Sequence, residues 1–404
     1  MINDFLMEQI RTIEQNHAKE FEDISDFIFK NPELGLQEYI ASEFLSQKIS
    51  EYGFKVTKGI CGIDTAFIAE FDNGPGPVIA YISEYDALPG FGPYGNPGHA
   101  CGHNWIAATT YGAAITLYNM KNFFNGKILL VGCPAMENKG CKVDLIRNNV
   151  FDEVDVAIQC HLEKYTSITP TTCALDAIKF SFYGNSTHAA QHPEEGVNAL
   201  DAARFTFSGM DALKNYLRQD INIHGTITDG GSNPTVIPDY AECRFEIRAR
   251  DRTYLNKIRP RIIRCAEGAA LMAGAKMTYE NYINPLDNLI IPDVLSNLMK
   301  AYLDIENIKV SPEYQDTYFF GSTDIGNVSH VCPTIYSEIA MDINKELFTI
   351  HSNSAMNYVN SKYANDRLHQ AVRIMSACGL EICLDKTLLR KIKNSHLKAL
   401  NKSL

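Results

Sequence analysis

Apolar and polar residues alternate at helical spacing from residue 5 to 52, and the Asn-Pro and Gly of "KNPELGLQE" interrupt them, so two helices are expected there. After Gly53 the pattern shortens. "FKVTKGI", "TAFIAEF", "PVIAYIS", "GKILLVGCPA" and "VDVAIQCH" are short apolar runs, separated by Gly or Asn turns and by helical segments such as "NWIAATTYGAAITLYNM" and "KVDLIRNNV". Strands alternating with helices predict an α/β layer fold around a largely buried sheet. From about Ala174 the order becomes strand "AIKFSFYG", a helix through "GVNALDAARFTFSGMDALKNYLRQ", strands "NIHGTITDGG" and "AECRFEIRA", a second helix and the strand "KMTYENY". That order predicts a smaller α+β domain with helices on one face of an antiparallel sheet. We place it at 174–286, as an insertion that divides the larger domain into 1–173 and 287–404. The larger domain then resumes with the helix "PDVLSNLMKAYLDIENI", the strand "TIYSEIAM" and a long helix through "YANDRLHQAVRIMSACGLEICLD".

Composition narrows the class. The chain has 404 residues, 45% of them hydrophobic and 21% charged, which suits two domains of an ordinary soluble protein. No stretch approaches the roughly 18 apolar residues that cross a bilayer, and the opening residues carry acids where a targeting peptide is basic or apolar. A cytoplasmic protein with no membrane partner is expected. The formal charge of −11 argues against a nucleic-acid partner. The basic tail from Lys386 to Lys402 keeps leucines at helical spacing and reads as a solvated terminal helix. The eleven cysteines are scattered, most of them in apolar runs, so reduced core thiols are expected everywhere except at Cys101.

Open α/β sheets collect their chemistry just beyond the carboxyl ends of the strands. Glu84 and Asp86 follow "VIAYIS", Glu137 follows "ILLVGCPA", and His161 follows "VDVAIQC". His99, Cys101 and His103 crowd a glycine-flanked loop ahead of a helix, and His351 opens "HSNSAMNY". Thiolate, imidazole and carboxylate together are the ligand mixture of zinc or a related transition ion, and open sites of that kind activate water. His161 or His351 taken singly reads more readily as a hydrogen-bonded core histidine than as a ligand. The loop "GHACGHN" carries the stronger signal, because its Cys and His can both face one ion.

The stretches "SEYDALPG", "GHACGHN", "GCPAMENKGCKVDLI", "STHAAQHPEEGVNALDA", "HGTITDGG" through "VIPDYAECRFEIRAR", and "FGSTDIGNVSHVCPTIY" together resemble the aminoacylase-like family of dinuclear metallopeptidases. The nearest branch comprises amidohydrolases of N-acyl amino acids, aminobenzoyl-glutamate and dipeptides. The resemblance is collinear from about residue 20 to 375. It implies a metal-binding α/β domain interrupted by a lid through which two subunits pair. It also implies one or two divalent ions, Zn2+ or Mn2+, in each subunit. By the same resemblance Cys101, His103, Glu137, His161 and His351 are metal ligands, with Cys101 bridging two ions. Asp86 then orients a ligand histidine, and His188 in the lid reaches the partner subunit's site to stabilise an oxyanion. The other reading of His188 is a helix-start residue without a catalytic part. Arg248 and Arg250, near the end of a lid strand, are candidates for holding a substrate carboxylate.

Three departures at one site weaken the enzyme reading. The family places two consecutive glutamates where this chain has Met136 and Glu137, and the missing first one is the general base. A thioether can neither take nor return a proton. The glycine-rich run that follows is changed to "NKGCK", and Thr235 stands where an asparagine is expected. Three readings stay open at this stage. Glu84 or Glu163 substitutes as base in an amidohydrolase; the fold binds acyl amino acids or peptides without cleaving them; or the metal centre supports a non-hydrolytic amide transfer.

Overall fold

The computed structural model describes residues 1–312 and 321–403. Phe320, which opens the stretch "FGSTDIGNVSHVCPTIY", lies outside them. The described residues form two compact units, one of 1–171, 289–312 and 324–402, the other of 172–288 with 321–323.

In the first unit, α1 (Asp4–Lys30) starts where the Asn3 side chain accepts the Leu6 N–H, and α2 (Tyr39–Ser50) follows. Strands β1 (Lys55–Lys58), β2 (Phe67–Asp72) and β3 (Val78–Ser83) lead to α3 (His103–Asn119), β4 (Lys127–Gly132), α4 (Lys142–Arg147) and β5 (Val156–Glu163). The six-stranded sheet is completed by a strand from the later part of the chain, Thr334–Ala340.

The second unit holds β6 (Ala174–Tyr183), α5 (Ala199–Lys214), β7 (Ile221–Asp229), β8 (Tyr240–Ala249), α6 (Arg252–Ala273) and β9 (Lys276–Asn281). Its sheet is antiparallel in the order β7-β8-β6-β9. Ile178, Phe180 and Phe182 on one face of β6 pack with Ala202 and Ala203 of α5 and Leu255 and Ile262 of α6. Arg252 ties the two ends of this insertion together, bonding Asp176 at 2.8 Å and Asp287 at 2.6 Å. Along β7 the residues from His224 to Asp229 are exposed, and the strand is an edge.

The first unit then continues with α7 (Asp293–Ile305), α8 (Ile325–Val331), β10 (Thr334–Ala340), α9 (Asn353–Tyr358), α10 (Lys362–Leu384) and α11 (Lys386–Ser403). Its sheet runs β1-β2-β4-β3-β5-β10, parallel from β4 to β10 and antiparallel where β1 and β2 close one edge. Strand periodicity sends Ile79 and Tyr81 of β3, and Ile128 and Leu130 of β4, into the core shared with α1, α3 and α10. Ala80, Ile82, Leu129 and Val131 go to the opposite face, which α4 and α8 cover. A sheet buried on both faces reads as continuous apolar runs, as these strands do. Helix α3 is buried from His103 to Leu117, and its small residues permit close packing: a Cβ on Gly112 would stand 2.7 Å from Val372 of α10. No helix among the described residues is long and apolar enough to cross a membrane.

Candidate metal centre

The carboxyl ends of β3, β4 and β5 lie side by side, so the loops that leave them share one end of the sheet. Glu84 and Asp86 follow β3, the turn holding Ala135, Met136 and Glu137 follows β4, and His161 stands near the end of β5. Cys101 and His103 sit at the start of α3, where Gly102 takes the left-handed conformation at φ 80°. His351 is tied to that loop, its N–H donating to the Ala100 carbonyl at 2.8 Å. Ala135 and His351 both hold positive φ, 57° and 55°. Strain of this sort in residues with side chains gathers at functional sites.

Two donor sets meet at one sulfur. Cys101, His103 and His161 can each offer an atom within 4.8 Å of the others, and so can Cys101, Glu137 and His351. The Cys101 Sγ is 3.5 Å from His161 Nε2, and His351 Nε2 is 3.2 Å from Glu137 Oε1. His103 Nε2 and Glu137 Oε1 are buried without a hydrogen bond and lie 3.7 Å apart. Buried polar atoms normally have partners, and two such atoms left without one, each in a different donor set, are what bound cations would satisfy. The donor chemistry, thiolate with imidazole and carboxylate, fits a divalent transition ion on each side of Cys101.

Asp86 organises this set. Its Oδ1 is 2.8 Å from His103 Nδ1, which turns Nε2 toward the other donors, and its Oδ2 accepts the Glu137 N–H at 2.9 Å. One carboxylate therefore registers two ligand loops. The Glu137 turn is held from behind as well, where the buried Glu38 accepts the Ala135 N–H at 2.7 Å and the Thr65 hydroxyl at 3.0 Å. Burial alone would lower the His103 pKa, but Asp86, Glu84 and Glu137 push it up to about 10. Burial would likewise raise Glu137, yet His351 and His103 hold it down at about 2. Burial, followed by the charge of His103, drives His161 down to about 4, and burial with Glu137 pushes the Cys101 thiol well above its ordinary value. Without a cation the acids of the site are thus stabilised by the His103 and His351 rings, whose pKa values they raise, and burial keeps Cys101 a thiol.

The pattern of the chain did not announce Lys142. It is fully buried, with Nζ 2.5 Å from Glu84 Oε1 and 2.5 Å from Asp324 Oδ1, and its own N–H bonds Asp324 Oδ2 at 3.0 Å. Removing one partner of a buried ion pair costs about 3–5 kcal/mol. Glu84, expected as a substitute base, is thereby committed to a lysine through one oxygen. An acid closing so apolar a strand as "VIAYIS" was the available signal that a counter-charge is needed. Glu163, the other expected substitute, stands at the end of β5 with Oε1 3.9 Å from His161 Nδ1, and burial raises its pKa to about 7.

In the second unit, His188 pairs as a bridge with Val236 and opens a turn. It does not start a helix. Its Nδ1 accepts the N–H groups of Ala190 and Gln191, each at 3.2 Å, which leaves the ring proton on Nε2. Arg248 donates to Glu246 at 2.9 Å and to Ser322 at 3.2 Å, and Arg250 is exposed beyond the end of β8.

Residues 174–270 match the peptidase dimerisation domain. Over 267 residues the chain is 35% identical to one of the subunits of p-aminobenzoyl-glutamate hydrolase from Escherichia coli strain K12, a match that covers 62% of this chain and 55% of that protein. The chain thus spans little more than half the length of that relative. Over 342 residues it is 31% identical to the Xaa-Arg dipeptidase of Homo sapiens, covering 78% of this chain and 74% of the dipeptidase. A solved Bacillus subtilis structure, described as a dinuclear metal-binding peptidase from the M20 family, is similar in fold. Its TM-score is 0.61 at 18% identity, over 89% of this chain and 98% of that one.

Proposed function

The chain belongs to the M20 peptidase family, and from that premise we propose that it is a metal-dependent amidohydrolase of a small N-acyl amino acid or dipeptide. One observation carries the reading: a buried cysteine shared by two sets of metal-type donors, with His103 Nε2 and Glu137 Oε1 left without hydrogen bonds. Cys101, His103, Glu137, His161 and His351 hold the ions, Zn2+ or Mn2+. When bound, such ions polarise a carbonyl and lower the pKa of water. Asp86 keeps His103 in the tautomer that presents Nε2. His188 of a second copy of the chain donates its Nε2–H to the developing oxyanion, a role for which the acceptor duty of its Nδ1 prepares it.

The homodimer forms through 174–286, and the exposed β7 edge supports this, since an unpaired strand invites a second copy. All eleven cysteines are free thiols, which suits a reducing, cytoplasmic setting. With Met136 in place of the base and Glu84 committed to Lys142, Glu163 is the carboxylate left to move the proton. A second reading, binding without cleavage, is favoured by Met136 alone.

The test is hydrolysis of a panel of N-acyl amino acids and dipeptides by zinc- or manganese-loaded protein. Release of the free amino acid, abolished by chelator and restored by metal, is expected. Binding of a panel member without any release by the loaded protein would contradict the hydrolase reading and leave the binding one.

A further inference from the structure

Glu84 has two oxygens with different duties. Oε1 is held by Lys142, whereas Oε2 stands 3.6 Å from His103 Nε2. That is too long for a hydrogen bond. It is instead the separation of two donors about one ion, since ligands at about 2.0–2.2 Å from a metal stand roughly 3–3.6 Å apart. His103 Nε2 is buried and without a hydrogen bond, so the atom that Oε2 faces is itself waiting for a partner. Glu84 is buried too, and its carboxylate is denied rotation by the lysine.

The lysine is equally constrained. Asp324 takes both its Nζ and its backbone N–H, which fixes the first turn of α4 against the start of α8. The chain Asp324–Lys142–Glu84 therefore ends in one carboxylate oxygen at the His103 side of the centre.

We infer that Glu84 is a further anionic donor of the metal centre, on the His103 side, and that Lys142 is the positioning residue that aims it. This rests on the metal reading above and adds a residue to it. Lys142 neutralises Asp324, so the carboxylate charge that reaches the centre is that of Glu84. It also prevents Glu84 from swinging to bond His103 directly.

The experiment is binding of Zn2+ and Co2+, measured by competition with a chromophoric chelator and by the cobalt absorption bands, on wild type, Glu84→Gln and the charge-balanced pair Lys142→Met with Asp324→Asn. Glu84→Gln keeps the volume of the side chain and leaves Lys142 paired with Asp324, so it is expected to fold. The inference predicts that one ion is bound about 10–100-fold more weakly in Glu84→Gln while the other is unchanged, with altered cobalt bands. The Lys142/Asp324 pair shows the same selective loss although Glu84 is intact; if that pair fails to fold by circular dichroism, Glu84→Gln decides alone. Two ions bound by Glu84→Gln with wild-type affinities and spectrum overturn the inference while leaving the metal reading standing. A wild type that binds neither ion sinks the metal reading itself, and this inference with it.

Discussion

At the scale of single residues, the proposed hydrolysis depends on the turn after β4. Met136 occupies the place next to Glu137 where a base is expected, and Asp86 and Glu38 fix that turn through the N–H groups of Glu137 and Ala135. A glutamate at 136 would enter a turn already held in place, and it is an unbranched side chain of similar length. Met136→Glu is therefore expected to raise amide hydrolysis by about 10²–10⁴-fold, the usual worth of general acid–base catalysis, as measured by kcat at saturating metal. A brisk wild type that the variant does not surpass means that another carboxylate already serves; loss of turnover in Glu163→Gln with metal content intact would then identify it. Much of this candidate site was legible in the chain because its metal-type donors lie in compact local signals. Cys101 and His103 share one glycine-flanked loop, and Glu137 and His161 each close an apolar strand. Lys142 and Asp324 were not legible. They are 182 residues apart, and a lysine at the start of a short helix reads as a solvated one.

At the scale of elements, the strand and helix order was readable because periodicity is local, whereas the fastening of one helix to another was not. His369 on α10 is the example. Its Nδ1 lies 2.7 Å from Glu14 Oε1 and its Nε2 3.1 Å from Glu22 Oε1, both on α1. A neutral imidazole has a single N–H, so both contacts are hydrogen bonds only when the ring is protonated. Arg373, one turn on, holds the other oxygen of Glu14 at 2.7 Å and Glu306 at 2.6 Å. Burial alone lowers the His369 pKa, but Glu14 and Glu22 raise it above its ordinary value. A raised folded-state pKa gives stability that is complete below the unfolded value of about 6.5 and is lost as the pH climbs through the folded value. His369→Gln should then cost about 1.5–3 kcal/mol at pH 6, the worth of charged hydrogen bonds, and clearly less at pH 9. Urea melts of both proteins at the two pH values measure it; a difference independent of pH contradicts the imidazolium clasp.

At the scale of the whole molecule, the two units carry different features. The α/β unit, with both faces of its sheet covered, holds five metal-type donors and Asp86 at one end of its parallel strands. The antiparallel unit presents an exposed edge strand and a histidine whose tautomer is set by its own turn. The alternation of strands and helices made both units recognisable, since each keeps its own periodicity. Where each polar group finds its partner depends on crossovers that bring β10 beside β5 and α10 beside α1, and no local pattern encodes them. The central claim is that Cys101 joins two donor sets into one dinuclear centre. Its most direct test is the metal content of the purified chain, reconstituted with Zn2+ or Mn2+ and desalted, beside that of Cys101→Ser. The account predicts up to two ions per chain in the wild type and loss of tight binding at both positions in the variant, because the shared ligand serves each. A wild type that retains no ion, or a Cys101→Ser protein that retains as many ions as the wild type with equal affinity, would contradict it.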